Sequence, residues 1–190
     1  MSLRPMKENR HAAAILEELQ RTVSQLDDEH AGVLAERIMQ SRKVFLAGAG
    51  RSGLMIKAFA MRLMHLGIEA YVVGESVTPN VTEHDLFIIG SGSGETRSLL
   101  SMGEKARSLH ASVAAVTIFP ESSIGLLADT VIKLPGSPKD QRNDEFSTRQ
   151  PMGSLFEQTL LVFFDSVILR LMEQKGYDSA AMYGRHANLE

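Results

Sequence analysis

Two short segments rich in glycine and serine have the residue types needed to bind a phosphate group. The first has the spacing G-x-G-x-x-G at Gly48, Gly50 and Gly53 and includes Ser52, and the second reads GSGSGET over residues 90–96. Glycines allow the backbone to approach a phosphate closely, and the amides at the start of a following helix donate hydrogen bonds to it. Both segments follow apolar runs and precede helical patterns, so each could supply such a site.

The two segments favour different ligands when each is considered alone. A G-x-G-x-x-G segment followed by an acidic residue about 20 positions later is typical of dinucleotide-binding folds, and Glu75 lies near that position. The second segment instead carries three hydroxyl groups, on Ser91, Ser93 and Thr96, which suit the several oxygens of a phosphomonoester. A turn that merely caps the next helix is the alternative for either segment. Two such segments after successive strands of one sheet favour phosphate binding.

Short apolar runs rich in Val, Ile and Phe predict the strands that carry these segments. The runs are nearly continuous rather than alternating, as expected for strands buried on both faces. They span residues 43–47, 70–73, 86–89, 113–117 and 130–134. Helical periodicity follows at residues 54–66, 96–109, 122–128 and 154–174. This alternation predicts an α/β fold, a three-layer sandwich with a five-stranded parallel sheet and helices on both faces.

The strand order of such a sheet could bring both segments to one ligand. If the second strand lies on one side of the first and the third on the other, as in flavodoxin-like sheets, the two loops frame a crevice. Ser52 and residues 90–96 would then face the same phosphate. Since no signature of an adenine or nicotinamide pocket accompanies the loops, a single phosphate explains them more simply than a dinucleotide does.

The rest of the chain is divided around this sheet. Residues 1–41 predict two helices, separated near Asp27-Asp28, that pack on the domain. Residues 42–175 form the domain itself, and residues 176–190 form a C-terminal tail. Residues 135–152 contain three prolines and mixed charge without periodicity, which predicts a long surface loop.

Composition narrows the classes of function. With 20 Lys and Arg residues against 23 Asp and Glu, the net charge of −3 offers no basic field for nucleic acid or an anionic membrane. The absence of cysteine removes disulfides and thiol chemistry and agrees with a reducing cytoplasm. The first residues show no signal peptide, and no apolar run approaches the roughly 20 residues of a membrane span. We therefore expect a soluble, cytoplasmic protein that binds neither nucleic acid nor membrane.

Several segments resemble a known family. The run SGSGET at residues 91–96 matches the S-x-S-G-x-T hallmark of sugar isomerase (SIS) domains, and GRS at residues 50–52 is similar to their earlier serine loop. Within that family the sequence looks most like the 6-phospho-3-hexuloisomerases, in segments spread over most of the chain: GAGRSG, FAMRLMHLG, VGE, PMGSLFEQ and the terminal RHANLE. The S-x-S-G-x-T motif is specific for the domain, and PMGSLFEQ together with RHANL indicates the subfamily.

The resemblance implies a function and an assembly. The function is the interconversion of D-arabino-3-hexulose 6-phosphate and D-fructose 6-phosphate, a step of the ribulose monophosphate pathway of formaldehyde fixation. The assembly is a homotetramer, and the proton transfer needs neither a metal nor another cofactor. We accordingly expect the substrate to be bound by Arg51, Ser52, Ser91, Gly92, Ser93, Gly94, Glu95 and Thr96.

Moving a carbonyl between C3 and C2 through an enediol requires a base within reach of both carbons. Glu157 is the candidate, since it follows the PMGS turn at the start of the long C-terminal helix. It also matches the glutamate assigned as proton acceptor in the family that the sequence resembles. The alternative is a glutamate that merely favours the helix N-terminus. Glu95 is the rival carboxylate, although its place in the phosphate loop suits helix capping better.

His186 in the RHANLE tail is the second catalytic candidate. It could shuttle protons between substrate oxygens, reaching the crevice of a neighbouring subunit as terminal histidines do in related SIS isomerases. The resemblance therefore implies that the tail at residues 176–190 completes the active site. A solvated terminal histidine is the alternative. Arg51 could add positive charge near the phosphate or the enediolate, or it could be an ordinary surface arginine. The other histidines lack paired metal-ligand spacing, so we expect no metal site.

Two other classes of function stay open at this point. A SIS domain can sense a sugar phosphate without catalysis, normally beside a basic helix-turn-helix, and the acidic segment at residues 8–40 is a poor candidate for one. A nucleotide-binding oxidoreductase rests on the first glycine segment alone.

Overall fold

The structure, a computed structural model, describes residues 9–137 and 148–189. Most of the loop expected at residues 135–152 therefore lies outside the described residues. None of the helices in the described ranges is both long and apolar enough to cross a membrane.

The sheet consists of five parallel strands, and each agrees with its predicted bounds to within one residue at either end. The strands are β1 (Val44–Gly48), β2 (Ala70–Val72), β3 (Leu86–Gly90), β4 (Ser112–Thr117) and β5 (Thr130–Lys133). Their order across the sheet is β2-β1-β3-β4-β5, which confirms the flavodoxin-like topology. From β1 the chain adds β2 on one side of the sheet and then β3 on the other, so a crevice opens at the carboxyl ends of β1 and β3.

The described chain forms seven helices. They are α1 (Arg10–Val23), α2 (Asp28–Gln40), α3 (Gly50–His65), α4 (Arg97–Ser108), α5 (Ser123–Leu127), α6 (Ser154–Lys175) and α7 (Ser179–Tyr183). Helix α3 begins four residues earlier than the apolar pattern predicts, because the small residues of its first turn leave no such pattern. The short α7 lies within the segment that the sequence indicates only as a tail.

The side chains of the strands alternate between two core clusters, one on each face of the sheet. Leu46 and Ile88 belong to the cluster covered by α2, α3 and α6, whereas Ala47 and Ile89 belong to the cluster covered by α4 and α5. Strands buried on both faces in this way explain the nearly continuous apolar runs in the sequence. The predicted three-layer α/β sandwich is confirmed.

Helix α3 packs closely against both α6 and the sheet. The rings of Phe59 and Phe164 stack with their centroids 4.2 Å apart. At the start of α3, a Cβ on Gly53 would lie 2.6 Å from the carbonyl oxygen of Gly48. The last glycine of the G-x-G-x-x-G spacing is therefore needed for the close approach of helix to strand, a role that requires no dinucleotide.

Candidate active site

A cleft of about 540 Å³ opens at the carboxyl ends of β1 and β3. This is where ligands bind in open α/β sheets, because loops from neighbouring strands diverge there. Its walls bring together hydroxyl groups and a carboxylate that are far apart in the sequence: Ser52, Ser91, Ser93, Thr96 and Glu157.

The loop at residues 91–96, here called the hydroxyl loop, is held by hydrogen bonds within itself. Ser91 Oγ accepts a hydrogen bond from the Gly94 amide at 3.2 Å and lies 3.5 Å from Thr96 Oγ1. Ser93 Oγ accepts one from the Glu95 amide at 3.3 Å. These bonds within the loop stabilise its conformation.

Two glycines of the hydroxyl loop fit where a larger residue would not. Gly94 has a φ of 64°, in the left-handed region that favours glycine, and a Cβ there would overlap the hydroxyl of Ser122. A Cβ on Gly92 would lie 3.0 Å from the ring of Phe156 in α6. The loop can therefore lie directly against both the start of α5 and the first turn of α6.

Glu95 lines the cleft, but its carboxylate is bonded to the first residue of α5. It accepts hydrogen bonds from the Ser123 amide at 2.8 Å and from the Ser123 hydroxyl at 2.7 Å. The backbone bond first, and then the hydroxyl bond, hold the pKa of Glu95 below its usual value. Glu95 therefore ties the hydroxyl loop to the start of α5, whereas α4, the helix that directly follows it, has no side-chain cap.

Three helices that begin at the cleft lack a side-chain cap. They are α3, α4 and α6, which follow Ala49, Thr96 and Gly153. By contrast, the N-termini of α1, α2, α5 and α7 are all capped by a side chain. The first-turn amides at the cleft are thus left to donate hydrogen bonds to an anion.

Glu157 lies in the first turn of α6 with its side chain only 7% exposed. Arg51, in the first turn of α3, donates from one Nη1 atom to Glu157 Oε2 at 3.1 Å and to Ser154 Oγ at 2.9 Å. Arg51 does not itself line the cleft, but it contacts Glu157, which does. Within the described ranges Glu157 Oε1 has no hydrogen-bond partner, so this oxygen can accept a proton from a ligand.

The loops after β4 and β5 contribute lining residues that the sequence analysis missed. Phe119, Glu121 and Ser122 follow β4, and Ser137 follows β5. Neither loop carries a recognisable motif. Only the topological rule that carboxyl ends of parallel strands meet at one edge could have indicated them.

The histidines lie away from the cleft. His186 stacks on His65, with ring centroids 5.3 Å apart, and His65 ends the helix that begins beside Ser52. At the usual helical rise, Ser52 and His65 are about 20 Å apart. Burial, and then the charges of Arg62 and His186, lower the pKa of His65. In the described part of the chain, no three potential metal-ligating side chains form a group.

Comparisons with known proteins agree with this geometry. Residues 37–162 match the SIS domain family. A 3-hexulose-6-phosphate isomerase from Bacillus subtilis (strain 168) is 60% identical over 185 residues, which cover 97% of this chain and 100% of that protein. A 3-hexulose-6-phosphate isomerase from Mycobacterium gastri is 40% identical, over 93% of this chain and 88% of that protein.

A solved structure from Methanococcus jannaschii shares the fold as well. It is described as a hypothetical protein whose structure infers a molecular function of 3-hexulose-6-phosphate isomerase. The TM-score is 0.81 at 33% identity, and the match covers 95% of this chain and 99% of that one. The matched SIS region contains both glycine-rich loops and the start of α6. The chain therefore belongs to the 3-hexulose-6-phosphate isomerase family of SIS-domain proteins.

Proposed function

We propose that this protein is a cytoplasmic isomerase that interconverts D-arabino-3-hexulose 6-phosphate and D-fructose 6-phosphate in the ribulose monophosphate pathway. The observation that carries the proposal is the buried carboxylate of Glu157 in the same cleft as the hydroxyl loop. Phosphate donors on one side of a cleft and a base on another suit a sugar phosphate. The isomerase from Bacillus subtilis, at 60% identity, supports the choice of substrate.

The reaction moves the carbonyl from C3 to C2 of the sugar. A base removes the proton from C2 to give an enediol, and a proton is then returned to C3. Over the same steps O2 loses a proton and O3 gains one. The oxidation of C2 balances the reduction of C3, so no external oxidant or reductant is consumed.

Glu157 is the group that takes and returns the carbon-bound proton. Its Oε2 atom is held by Arg51 at 3.1 Å, which fixes the orientation of the carboxylate and leaves Oε1 for the substrate. A well-placed general base contributes about 10²- to 10⁴-fold to the rate. Arg51 is therefore a positioning residue in this scheme, and its charge also lies near the place where the enediolate forms.

The hydroxyl loop and Ser52 hold the phosphate. Ser91, Ser93 and Thr96 offer hydroxyl groups, and the uncapped starts of α3 and α4 offer amides beside them. Hydrogen bonds to a charged phosphate are shorter and stronger than those between neutral groups. With the phosphate held there, the sugar carbons extend across the cleft toward the first turn of α6.

His186 acts, in this proposal, in the cleft of a neighbouring chain within a homotetramer. Within its own chain it lies beside His65, at the far end of α3 from Ser52. A tail that lies so far from its own cleft can reach an equivalent cleft when subunits are arranged by symmetry. There the imidazole would move protons between O2 and O3 of the enediol.

The proposal is tested with Glu157→Gln, which keeps the size of the side chain and removes the base. We expect kcat to fall by about 10³-fold or more, while binding of fructose 6-phosphate stays within about threefold of the parent. Asp165→Asn is the matched control, because Asp165 is an exposed carboxylate on the same helix. Turnover by Glu157→Gln at the parental rate would remove Glu157 as the base.

Ligand binding separates this function from the other classes. In a thermal-shift experiment, fructose 6-phosphate should raise the melting temperature and NAD should not. Stabilisation by NAD alone would instead favour a nucleotide-binding oxidoreductase. Stabilisation by fructose 6-phosphate without any turnover by the parent protein would favour a sugar-phosphate sensor.

A further inference from the structure

Glu18 is a buried carboxylate in α1 to which the catalytic scheme assigns no role. Its residue surface is only 6% exposed, and both of its carboxylate oxygens are bonded. Oε2 accepts a hydrogen bond from Thr148 Oγ1 at 2.6 Å and another from Gln150 Nε2 at 3.2 Å. Oε1 accepts one from the Arg149 amide at 2.8 Å. Three donors from three consecutive residues thus converge on one carboxylate.

These donors come from the segment that leads directly into α6. Thr148 Oγ1 also accepts a hydrogen bond from the backbone amide of Gln150 at 3.0 Å. The segment therefore forms a turn of its own in addition to its bonds to Glu18. The Ser154 amide then donates to the Pro151 carbonyl oxygen at 3.2 Å. No more than three residues separate the segment held by Glu18 from the first residue of α6.

The connection between this segment and α6 is conformationally demanding. Met152 has a φ of 57°, in the left-handed region that residues other than glycine rarely adopt, and its side chain is exposed. Such a conformation persists where the surrounding structure holds it. The Met152 side chain is exposed, so packing around it does not hold this conformation. The restraint comes instead from the residues on either side of Met152, which are fixed by hydrogen bonds. On one side these are the residues bonded to Glu18, and on the other side Ser154, which is bonded to Arg51.

We propose that Glu18 is a positioning residue for the isomerase reaction, since it anchors residues 148–150 and thereby sets the direction in which the first turn of α6 presents Glu157 to the cleft. This inference rests on the proposed function, in which Glu157 is the base. Glu18 does not touch the cleft, so it acts through the backbone of the entry turn. Helix α1 thereby takes part in positioning the base.

A carboxylate suits this position better than any uncharged side chain of the same size. All three of its partners are donors, and a carboxylate offers acceptors at both oxygens. A glutamine would direct an amide NH₂ group at one of these donors and leave it without an acceptor. The Thr22 hydroxyl, which donates to the Glu18 carbonyl oxygen at 2.9 Å, adds a local restraint on α1 at the same residue.

The test compares Glu18→Gln with Glu17→Gln, which removes the same charge from the neighbouring, exposed position of α1. We expect Glu18→Gln to lower kcat by about tenfold or more with KM within about threefold, because small displacements of a catalytic group reduce turnover more than phosphate binding. Hydrogen exchange should accelerate at the amides between Arg149 and Glu157. Glu17→Gln should match the parent in both measurements.

A merely structural role for Glu18 would give a different pattern. In that case the melting temperature of Glu18→Gln would fall while kcat of the folded protein stayed within about twofold of the parent, and the inference would be overturned. If Glu18→Gln does not fold, Thr148→Val decides, because it removes one of the three donors without altering α1. A reduced kcat for Thr148→Val supports the inference and a parental kcat contradicts it.

The same experiment distinguishes failure of this inference from failure of the proposed function. If the parent protein does not isomerise the sugar phosphate, the proposed function is wrong and the exchange measurement decides whether Glu18 orders the entry to α6. Unchanged exchange between Arg149 and Glu157 in Glu18→Gln would then contradict the inference, and accelerated exchange would support the anchoring of the turn.

Discussion

Three carboxylates, those of Glu157, Glu95 and Glu18, differ in their burial and in their hydrogen bonds. Glu157 is nearly buried but keeps an oxygen for the cleft, while Glu95 is bonded at both oxygens to the start of α5. Burial alone would raise the pKa of Glu18, but hydrogen bonds from the 148–150 segment and the charge of Arg21 outweigh it and lower that pKa. Of these three carboxylates, only Glu157 is both buried and provided with an oxygen, Oε1, that has no hydrogen-bond partner among the described residues.

A prediction at the residue scale concerns the hydroxyls of Ser91 and Ser93 in the hydroxyl loop. Removing both hydroxyls with Ser91→Ala and Ser93→Ala should raise KM for the sugar phosphate by about 100-fold or more, because two hydrogen bonds to a charged group together contribute about 3–6 kcal/mol. The effect on kcat should be smaller, since Glu157, the proposed base, is unchanged. Steady-state kinetics measure both constants.

The matched control for this double variant is Ser101→Ala, an exposed hydroxyl on α4 outside the cleft. It should behave as the parent does. A KM for the double variant equal to that of the parent would show that the phosphate binds elsewhere.

Site residues were predictable from the sequence where a motif or a topological rule applied to them. Ser52 and the hydroxyl loop follow neighbouring strands, so their meeting at one cleft could be expected. Glu121 follows a later strand without any motif, and it was missed. Glu18 could not be identified, because its hydrogen-bond partners lie about 130 residues away and no local pattern marks it.

At the scale of elements, α6 contributes residues both to the hydrophobic core and to the wall of the cleft. Its buried residues lie on several faces, so it packs against both α2 and α3 while its first turn forms one wall of the cleft. Strand bounds were predictable because buried strands have nearly continuous apolar sequence. The start of α3 was not, because in its first turn Gly53 packs closely against β1 and Ser52 lines the cleft, so these residues leave no apolar pattern.

The α3 and α6 contact can be tested through Phe164, which stacks on Phe59. Phe164→Ala should reduce the free energy of unfolding by about 3–5 kcal/mol, because it leaves a cavity in a buried aromatic pair. Urea denaturation at a fixed protein concentration measures this change.

Leu169→Ala on the same helix serves as the comparison, since Leu169 is 61% exposed. This substitution should change the free energy of unfolding of a single chain by no more than about 0.5 kcal/mol. Equal effects at positions 164 and 169 would contradict the packing described for this helix.

At the scale of the whole molecule, the tail and the cleft of one chain lie at opposite ends of α3. That helix also exposes three large apolar side chains, Leu54, Met61 and Met64. Contact between copies through such a face would cover them, in keeping with the proposed tetramer. Chain-to-chain geometry is not encoded in any local sequence pattern, which is why the resemblance, rather than periodicity, carried the expectation of an oligomer.

Mixing two inactive variants tests whether His186 serves a neighbouring chain. Glu157→Gln and His186→Ala should each be nearly inactive alone, and chains refolded together should recover about a quarter of the parental activity, as random assembly of shared sites requires. Activity assays before and after mixing measure the recovery. Glu157→Gln mixed with itself is the control.

Two other results would speak against the shared site. Mixed chains that stay inactive would place His186 and Glu157 of one chain in one site. Parental turnover by His186→Ala alone would remove the histidine from the mechanism.

The late position of α6 in the chain has a consequence for biosynthesis. A ribosome adds about 5–20 residues per second, so the hydroxyl loop is made roughly 3–12 s before Glu157. Until α6 emerges, one face of the sheet has α2 and α3 but lacks the part of its covering layer that α6 supplies. A nascent chain could therefore present apolar surface to chaperones before it could turn over any sugar phosphate.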